Sequence, residues 1–335
     1  MTPVFWAMRR RDFIKSIGGA AVVWPSEARA QQQRLPVVGF VSGRSADTSV
    51  REVAAFREGV SETGYVEGQN ATIEYHWLEG RYDQLPSLMA DLVRRGVAVI
   101  ATLGSNPAAL AAKAATTTIP IVFSVGDDAV RMGLVASLAR PGGNATGVNF
   151  LVAEVGAKRL GLLHDLVPKA VRIAVLVNPG NASTAEATLR EVPEAARTLG
   201  LQVAVLDAHT SREIEAAFAA LSRDRTDALF VAPDAFFISR RVQFATLAAR
   251  HGIPAAYATR GEVEAGGLMS YGVDIPYAWR QVGLYTGQIL KGAKPADLPV
   301  VQSTKFEFVI NLQTARALGI EIPNSLQLLA DEVIE

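Results

Sequence analysis

Short apolar runs rich in β-branched residues alternate along the chain with longer segments of helical period. The first apolar run covers residues 37–41 and predicts a strand. The next segment, 50–63, predicts a helix, because Phe56 and Val60 recur on one face and Gly64 follows as a stop. Alternation of this kind is typical of parallel βαβ units with helices on both faces of a sheet. The pattern therefore predicts an α/β fold.

The alternation continues in two blocks of similar build. In the first block we expect further strands at 71–77, 98–103 and 119–124, and helices at 84–95 and 105–116. In the second block we expect strands at 146–150, 172–177, 202–206, 228–232 and 255–257, and helices at 154–166, 184–199, 212–221 and 236–251. Two doubly wound parallel-sheet lobes are the predicted result.

A break between the blocks marks a lobe boundary. The run Arg-Pro-Gly-Gly-Asn at 140–144 propagates neither helix nor strand easily. A helix at 277–290 and a strand at 307–310 come after the second block and are too small for a third domain. We therefore expect the chain to recross through a multi-strand hinge. Lobe 1 then comprises 36–149 plus 275–297, and lobe 2 comprises 150–271 plus 298–335.

The first 30 residues show the features of an export signal in the expected order. Three arginines at 9–11 precede Phe13, a short apolar stretch covers 17–24, and Ala-Arg-Ala ends the segment at 28–30. These features predict a twin-arginine signal peptide over 1–30, export by the twin-arginine machinery and a periplasmic location. The alternative is an ordinary basic amphipathic N-terminus. The apolar stretch is well short of the roughly 20 residues that span a bilayer.

Composition narrows the classes of partner. The chain has 33 basic and 33 acidic residues, and removal of residues 1–30 leaves 28 against 31. Such a balance argues against a nucleic-acid surface or a polybasic membrane footprint. The absence of cysteine excludes disulfides, thiolate metal sites and a lipid anchor on cysteine. We expect a small-molecule ligand, no nucleic acid and no membrane anchor, and the roughly 305 remaining residues suit two domains.

Motifs for common catalytic and cofactor chemistry are missing. Neither Gly-x-Gly-x-x-Gly nor a P-loop occurs, and the nearest relative of a Gly-x-Ser-x-Gly elbow, at 267–272, has one residue too many. The four histidines have no metal-ligand spacing. We therefore expect no metal and no cofactor, and binding rather than catalysis.

Ligands of open α/β sheets bind beyond the carboxyl ends of the strands. In lobe 1 this rule nominates Ser42, Ser105, Asn106, Ser124 and Asp127. Ser105 and Asn106 also lie at a helix start, where free N–H groups favour an anion, although Ser105 could be a plain N-cap. Asp127 would complement an ammonium group.

In lobe 2 the same rule nominates Asn178, Asp234, Tyr257 and Tyr271. Asp234 precedes a predicted helix, so a capping role is the alternative to ligand contact. The two tyrosines could stack on an apolar or aromatic part of a ligand, and packing within the lobe is the alternative for both.

Several sequence motifs point to a known family. They are Ile-Pro-Ile-Val-Phe at 119–123, Gly-Asp-Asp at 126–128, Arg-Pro-Gly-Gly-Asn-Ala-Thr-Gly at 140–147, Gly-Gly-Leu-Met-Ser-Tyr-Gly at 266–272, the segment 289–299 and Ala-Asp-Glu-Val-Ile-Glu at 330–335. In combination the chain resembles the substrate-binding proteins of ABC importers, in the family that includes tryptophan and tyrosine binders. The similarity covers essentially the whole chain after the signal segment. The sequence departs from the common pattern at Ala129, where relatives usually carry proline.

The resemblance implies a type I periplasmic binding fold, ligand capture by lobe closure and docking on the transmembrane subunits of an ABC permease. We therefore expect a receptor for an amino acid or an aromatic or small carboxylate. An exported enzyme and a periplasmic ligand-sensing subunit of a signalling system are the alternatives.

Overall fold

The computed structural model describes residues 35–150 and 152–335, so the predicted signal peptide at 1–30 lies outside the described residues. Six parallel strands form the sheet of lobe 1: β1 (Val37–Ser42), β2 (Thr72–Trp77), β3 (Val99–Leu103), β4 (Ile121–Val125), β5 (Ala145–Asn149) and β11 (Val301–Gln302). Their order across the sheet is β11-β5-β4-β3-β1-β2. The parallel arrangement follows from the helical crossovers between successive strands.

Helices cover both faces of the first sheet. They are α1 (Val50–Glu62), α2 (Leu85–Arg95), α3 (Asn106–Ala115) and α10 (Ile275–Leu290). One buried cluster joins α2 and α3 to the sheet, and a second joins α1 and α10 to its other face. These two clusters explain why the strands β1, β3 and β4 are apolar along most of their length.

Seven strands form the sheet of lobe 2. They are β6 (Arg172–Val177), β7 (Gln202–Asp207), β8 (Ala228–Val231), β9 (Ala255–Tyr257), β10 (Met269–Val273), β12 (Phe306–Asn311) and β13 (Glu332–Ile334), in the order β13-β12-β10-β9-β8-β6-β7. The pair β10 and β12 is antiparallel and the other pairs are parallel. The prediction of an α/β fold with two parallel-sheet lobes is confirmed.

The helices of lobe 2 also lie on both faces of its sheet. They are α4 (Val152–Leu166), α5 (Ala182–Thr198), α6 (Ser211–Arg223), α7 (Ala235–Ser239), α8 (Arg241–His251), α9 (Arg260–Glu264), α11 (Leu312–Ala317) and α12 (Asn324–Leu329). Within the described residues, none of the helices combines the length and the apolar character needed to cross a membrane.

Two features of the chain path differ from the expectation. The helix expected at 236–251 is divided at Arg240 into α7 and α8, since the φ of −105° and ψ of 17° at this residue leave the helical region. The strand Val301–Gln302 pairs with β5 of lobe 1, whereas the sequence placed 298–335 in lobe 2. A two-residue edge strand is too short to produce an alternating pattern, so the sequence carries no signal for it.

The chain passes from one lobe to the other after β5, after β10 and after β11. These crossings place the carboxyl ends of the parallel strands of both sheets around one cleft. The helix that follows β10, α10, packs against α1 with direct contact of the two backbones. A Cβ atom on Gly59 would lie 2.1 Å from the carbonyl oxygen of Arg280, and one on Gly283 would lie 2.1 Å from that of Phe56.

Candidate functional site

A cavity of about 80 Å³ lies in the cleft between the two lobes. This is several times the space that one water molecule requires. Both lobes contribute to its wall, and the apolar part of that wall comprises Phe150, Val155, Ile238, Val273 and Ile275. A concave, mostly apolar cavity with a few convergent polar groups is the usual form of a small-molecule site.

Direct contacts join the lobes at the rim of the cavity. The amide Nδ2 of Asn106 lies 3.1 Å from the hydroxyl oxygens of both Ser183 and Thr184 across the cleft. On the exposed side of the cleft, Arg51 of lobe 1 forms a 3.2 Å ion pair with Glu264 of lobe 2. The structure therefore has its lobes in contact over the cavity.

Glycine allows the lobes to approach closely at a second place. A Cβ atom on Gly43 would lie 2.9 Å from the Cβ of Ala235, and one on Gly80 would lie 2.7 Å from the Cβ of Phe236. These distances are shorter than real carbon contacts, so the missing side chains make room for helix α7. The close approach depends on glycine at these two positions of lobe 1.

Arg44 is a buried cation in the lobe 1 wall, two residues beyond the end of β1. Only 2% of its surface is exposed. Its Nη1 donates to Glu52 at 3.0 Å, and its guanidinium lies 5.6 Å from the ring centroid of Trp279. Its Nε is buried and has no hydrogen-bond partner in the described structure. A buried unpaired donor costs about 1–3 kcal/mol, so this atom is suited to receive an acceptor from a bound molecule.

Arg159 is the corresponding cation in the lobe 2 wall. Its Nε donates to the carbonyl oxygen of Tyr271 at 2.7 Å, and its guanidinium lies 5.1 Å from the ring centroid of Phe230. Burial lowers the pKa of Arg159 to about 10, although the nearby carboxylate of Glu262 acts in the opposite direction. The side chain is therefore still charged at neutral pH.

Asp234 lines the cavity and begins helix α7. Its Oδ1 accepts hydrogen bonds from the backbone N–H groups of Phe236 and Phe237 at 3.0 and 3.3 Å. The side-chain amides of Asn178 and Asn181 donate to the same carboxylate at 2.9 and 3.1 Å. Burial raises the pKa of Asp234, and these four hydrogen bonds oppose that increase. The carboxylate is held by the protein itself, as the capping alternative implied.

Asp127 is engaged by residues of both lobes and is not among the residues that line the cavity. Its Oδ2 accepts a 2.7 Å hydrogen bond from the Nδ2 of Asn106. Burial raises the pKa of this carboxyl, while hydrogen bonds from Ser183 and Asn106 lower it. The structure thus brings Asp127 to the contact between the lobes, beside the cavity.

Three predicted serines hold the loops at strand ends. Ser105 caps α3 by accepting from the N–H of Ala108, and Ser124 accepts from the N–H of Gly104 at 2.8 Å. Ser42 accepts from the N–H of Arg44 at 3.3 Å. None of the three lines the cavity in the described structure, so they shape the wall through the backbone.

The two predicted tyrosines pack within lobe 2 and not in the cavity wall. Tyr257 is fully buried, and its ring lies edge-on to Phe244 at 6.2 Å. Tyr271 is stacked on Phe306 at 6.1 Å and contributes its carbonyl oxygen to Arg159. The packing alternative therefore describes both rings in this structure. Of the nine nominated residues, the structure places Asn106 and Asp234 in the wall.

Three residues of the site, Arg44, Arg159 and Trp279, were not predicted from the sequence. Arg44 lies three residues after the strand predicted at 37–41, so the strand-end rule could have included it. Arg159 shares a helix face with Val155 and Leu162, and a lone charge on an apolar face is a signal for a functional group. Trp279 lies on the late helix α10, and nothing in its local sequence indicates that it packs behind Gly104 of the cavity wall.

Two sheets facing one cleft, with a cavity closed by both lobes, define a bilobal binding protein. The model of the family described as ABC transporter substrate binding protein matches residues 34–334. The chain therefore belongs to that family, and its fold is the type I periplasmic binding fold.

Similar proteins are found among curated sequences and solved structures. A tyrosine-binding protein of Clostridioides difficile (strain R20291) is 27% identical over 87% of this chain and 82% of its own length. The ABC domain of Streptococcus pneumoniae in complex with L-Trp is 26% identical, with a TM-score of 0.79 over 90% of this chain and 100% of that one. A conserved domain protein of Vibrio cholerae is also 26% identical, with a TM-score of 0.80 over the same shares.

Proposed function

We propose that this protein is the solute-binding component of an ABC importer. It captures an amino acid or an aromatic or small carboxylate in the cleft between its lobes. The observation that carries the proposal is a cavity whose wall comes from both lobes and contains Arg44 with an unpaired, buried Nε. A solute in such a cavity contacts both lobes only when they are closed, and it stabilises the closed state by that difference in affinity.

The relatives support the same class of ligand. One is named as a tyrosine-binding protein and another was solved in complex with L-Trp. Both names describe small molecules with a carboxylate and an aromatic side chain. The wall of this cavity offers the corresponding surfaces, since it contains apolar side chains such as Phe150 and Ile238 as well as Arg44.

The proposal also includes the cellular location of the protein and the proteins that it contacts there. Export by the twin-arginine machinery would bring the protein to the periplasm, and the closed form would dock on the transmembrane subunits of a permease. The signal-like order of residues 1–30 and the family membership support this assignment. Among the nominated residues, we propose that Asn106 and Asp234 shape the wall that meets the ligand, while the other seven support it from behind.

Ligand binding is tested by thermal denaturation and calorimetry with a panel of amino acids, aromatic acids and small carboxylates. A solute at a hundred times its dissociation constant stabilises the folded state by about 2.7 kcal/mol, which raises the melting temperature by several degrees. We expect at least one member of the panel to produce such a shift and to give a saturable binding isotherm.

Two variants locate the binding in the cleft. Ile238→Phe adds bulk to the cavity wall and is expected to abolish the shift, whereas Val242→Phe lies on the next helix with 64% of its side chain exposed and should retain it. The proposal fails if the native protein, stripped of bound solutes by unfolding and refolding, binds no member of the panel. It also fails if Ile238→Phe binds as tightly as the native protein.

A further inference from the structure

Two buried hydrogen-bond donors without partners converge on one glycine of the cavity wall. They are the Nε of Arg44 and the Nε1 of Trp279, on side chains that are 2% and 0% exposed. A Cβ atom at Gly104 would lie 3.9 Å from each of the two nitrogens. An oxygen slightly farther from the backbone can therefore accept a hydrogen bond from both. Buried donors are almost always paired, so a site with two unpaired ones indicates a missing acceptor.

The surroundings hold these donors in place. Glu52 binds the Nη1 of Arg44 at 3.0 Å, which fixes the guanidinium and leaves its Nε directed elsewhere. Trp279 packs edge-on to Phe40 at 5.6 Å between ring centroids. Gly104 has a φ of +63° and its N–H is bound by Ser124, so the backbone at the base of the space is also fixed. The donors are thus oriented before any molecule binds.

We infer that the space over Gly104 is an oxyanion subsite and takes the carboxylate of the transported solute. One carboxylate oxygen accepts from the Nε of Arg44 and from the Nε1 of Trp279. A hydrogen bond from a guanidinium to a carboxylate is charge-assisted and stronger than a neutral one. This inference rests on the proposed function, because it assigns the chemistry of the solute that the cleft binds.

The other polar groups of the wall indicate what else the solute carries. Within the described part of the wall, the carboxylate of Asp234 already accepts five hydrogen bonds, the fifth from the hydroxyl of Tyr82 at 3.4 Å, and is not free to bind an ammonium group. Asn181 also lines the cavity, and its Nδ2 faces that carboxylate, so its Oδ1 is the buried atom without a partner. An amide oxygen accepts from a hydroxyl or from an ammonium group, but within the described part of the wall no carboxylate besides Asp234 is present to balance the charge of an ammonium. The solute class is therefore a hydroxycarboxylate with an apolar body, rather than an α-amino acid.

The class of solute is tested with matched pairs that differ only in hydroxyl and ammonium. The probes are lactate against alanine, 2-hydroxy-4-methylpentanoate against leucine, and 3-phenyllactate against phenylalanine, with myo-inositol as the neutral probe. We expect at least one hydroxycarboxylate to bind at least about tenfold more tightly than its amino counterpart, the difference that 1.4 kcal/mol produces.

The subsite itself is tested with a pair of glycine variants. Gly104→Ala places a methyl group in the proposed oxyanion position, and Gly96→Ala introduces the same methyl group at the same φ of +63° in open space at the end of α2. Both variants carry similar backbone strain. We expect Gly104→Ala to weaken hydroxycarboxylate binding at least about tenfold, because the acceptor is displaced from two donors, and Gly96→Ala to change it less than about twofold.

A third variant separates charge from hydrogen bonding. Arg44→Lys keeps a cation beside Glu52 but removes the Nε donor, and we expect it to weaken binding as Gly104→Ala does. Equal or tighter binding of the amino acids overturns the inference and leaves the proposed function intact, as does unchanged hydroxycarboxylate binding in Gly104→Ala. Tighter binding of myo-inositol than of every carboxylate overturns the inference and also contradicts the ligand class of the proposed function. Failure of every probe and of the wider panel contradicts the proposed function as well.

Discussion

At the scale of the residue, hydrogen-bond partners decide what each charged group in the cleft is able to do. The carboxylate of Asp234 accepts three side-chain and two backbone hydrogen bonds, four from its own lobe and one from Tyr82 of lobe 1, so its charge is stabilised by the protein. Arg44 has one of its nitrogens paired and another without a partner. Asp234 is therefore a structural residue of the wall, whereas Arg44 has capacity left for a ligand.

This difference predicts the effect of removing the carboxylate. Asp234→Ala leaves the amides of Asn178 and Asn181 and the first N–H groups of α7 without an acceptor in a buried position. We expect a loss of about 3 kcal/mol or more in the free energy of unfolding, measured by urea denaturation. The control is Asp224→Ala, where a carboxylate that is 57% exposed contacts only the adjacent Arg223, and a change within about 0.5 kcal/mol is expected. Equal stability of the two variants would contradict the assigned role.

The residues of the site were predictable from the sequence only in part. Asn106 and Asp234 could be predicted from the sequence, because each lies three residues after the end of a strand and a strand end is a local feature. The unpaired donors of Arg44 and Trp279 could not be predicted in this way. The two residues are 235 positions apart in the sequence and come together only in the folded chain, where they pack around Gly104. The rings of Tyr257 and Tyr271 show the reverse case. Tyr257 ends β9 and Tyr271 lies in the middle of β10, but both rings pack against phenylalanines of their own lobe.

At the scale of the element, the pair α1 and α10 shows how a small residue determines packing. Gly59 and Gly283 lie opposite each other's backbones, so each helix fits against the carbonyl groups of the other. Arg280 strengthens the pair through a 2.6 Å ion pair with Glu62. The helix α10 also carries Trp279, and the contact therefore positions a residue of the proposed oxyanion subsite.

A methyl group at this contact is expected to be costly. The Cβ of Gly283→Ala would lie 2.1 Å from the carbonyl oxygen of Phe56, which forces the two helices apart. We expect a loss of about 3 kcal/mol in the free energy of unfolding, at the upper end of overpacking effects. Gly161→Ala on α4 meets no atom within 4 Å and should gain about 0.5–1 kcal/mol from helix propensity. Thermal melts of the two variants check the prediction, and a Gly283→Ala melting temperature equal to the native one would refute it.

Elements with a strong hydrophobic period were predicted to within one or two residues. The strand at 172–177 has the expected bounds, and the helix expected at 277–290 begins only two residues earlier. Short elements were missed, as β11 and β13 show, because two or three residues carry no period. The division at Arg240 was also missed, since the apolar residues of α7 and α8 continue one helical pattern across it.

At the scale of the whole molecule, the lobes are in contact across a cleft, and a crosslink can test that arrangement. The natural chain has no cysteine, so a pair introduced at Gly43→Cys and Ala235→Cys has no competing thiol in the same chain, and the one intramolecular disulfide that can form joins the two lobes. Their Cβ atoms would lie 2.9 Å apart, and the lobes need to separate by about 1 Å to reach the mean disulfide value of about 3.8 Å. We expect rapid oxidation of the pair, read by gel mobility and mass spectrometry.

Oxidation should also change the shape of the protein in solution. The crosslinked form is expected to have the smaller radius of gyration in X-ray scattering and to exchange bound solute more slowly, and reductant should reverse both effects. A matched pair, Val171→Cys and Val242→Cys, uses two exposed sites and provides the control. Crosslinking of Gly43→Cys with Ala235→Cys no faster than in the control pair would show that the lobes do not meet at this place.

The late return of the chain to lobe 1 has a consequence for the order of folding. Tyr65 donates to the carbonyl oxygen of Leu290, 225 positions later, and α10 reaches α1 only after all the strands of lobe 2 up to β10. Until that helix is made, the apolar face formed by Phe40 and Phe56 lacks the side chain of Trp279. Contacts of such long range form slowly because loop closure must precede them. Lobe 1 is therefore the first to be started during synthesis, yet it stays incomplete until α10 and β11 have been made, and its uncovered apolar face is exposed to aggregation during that interval.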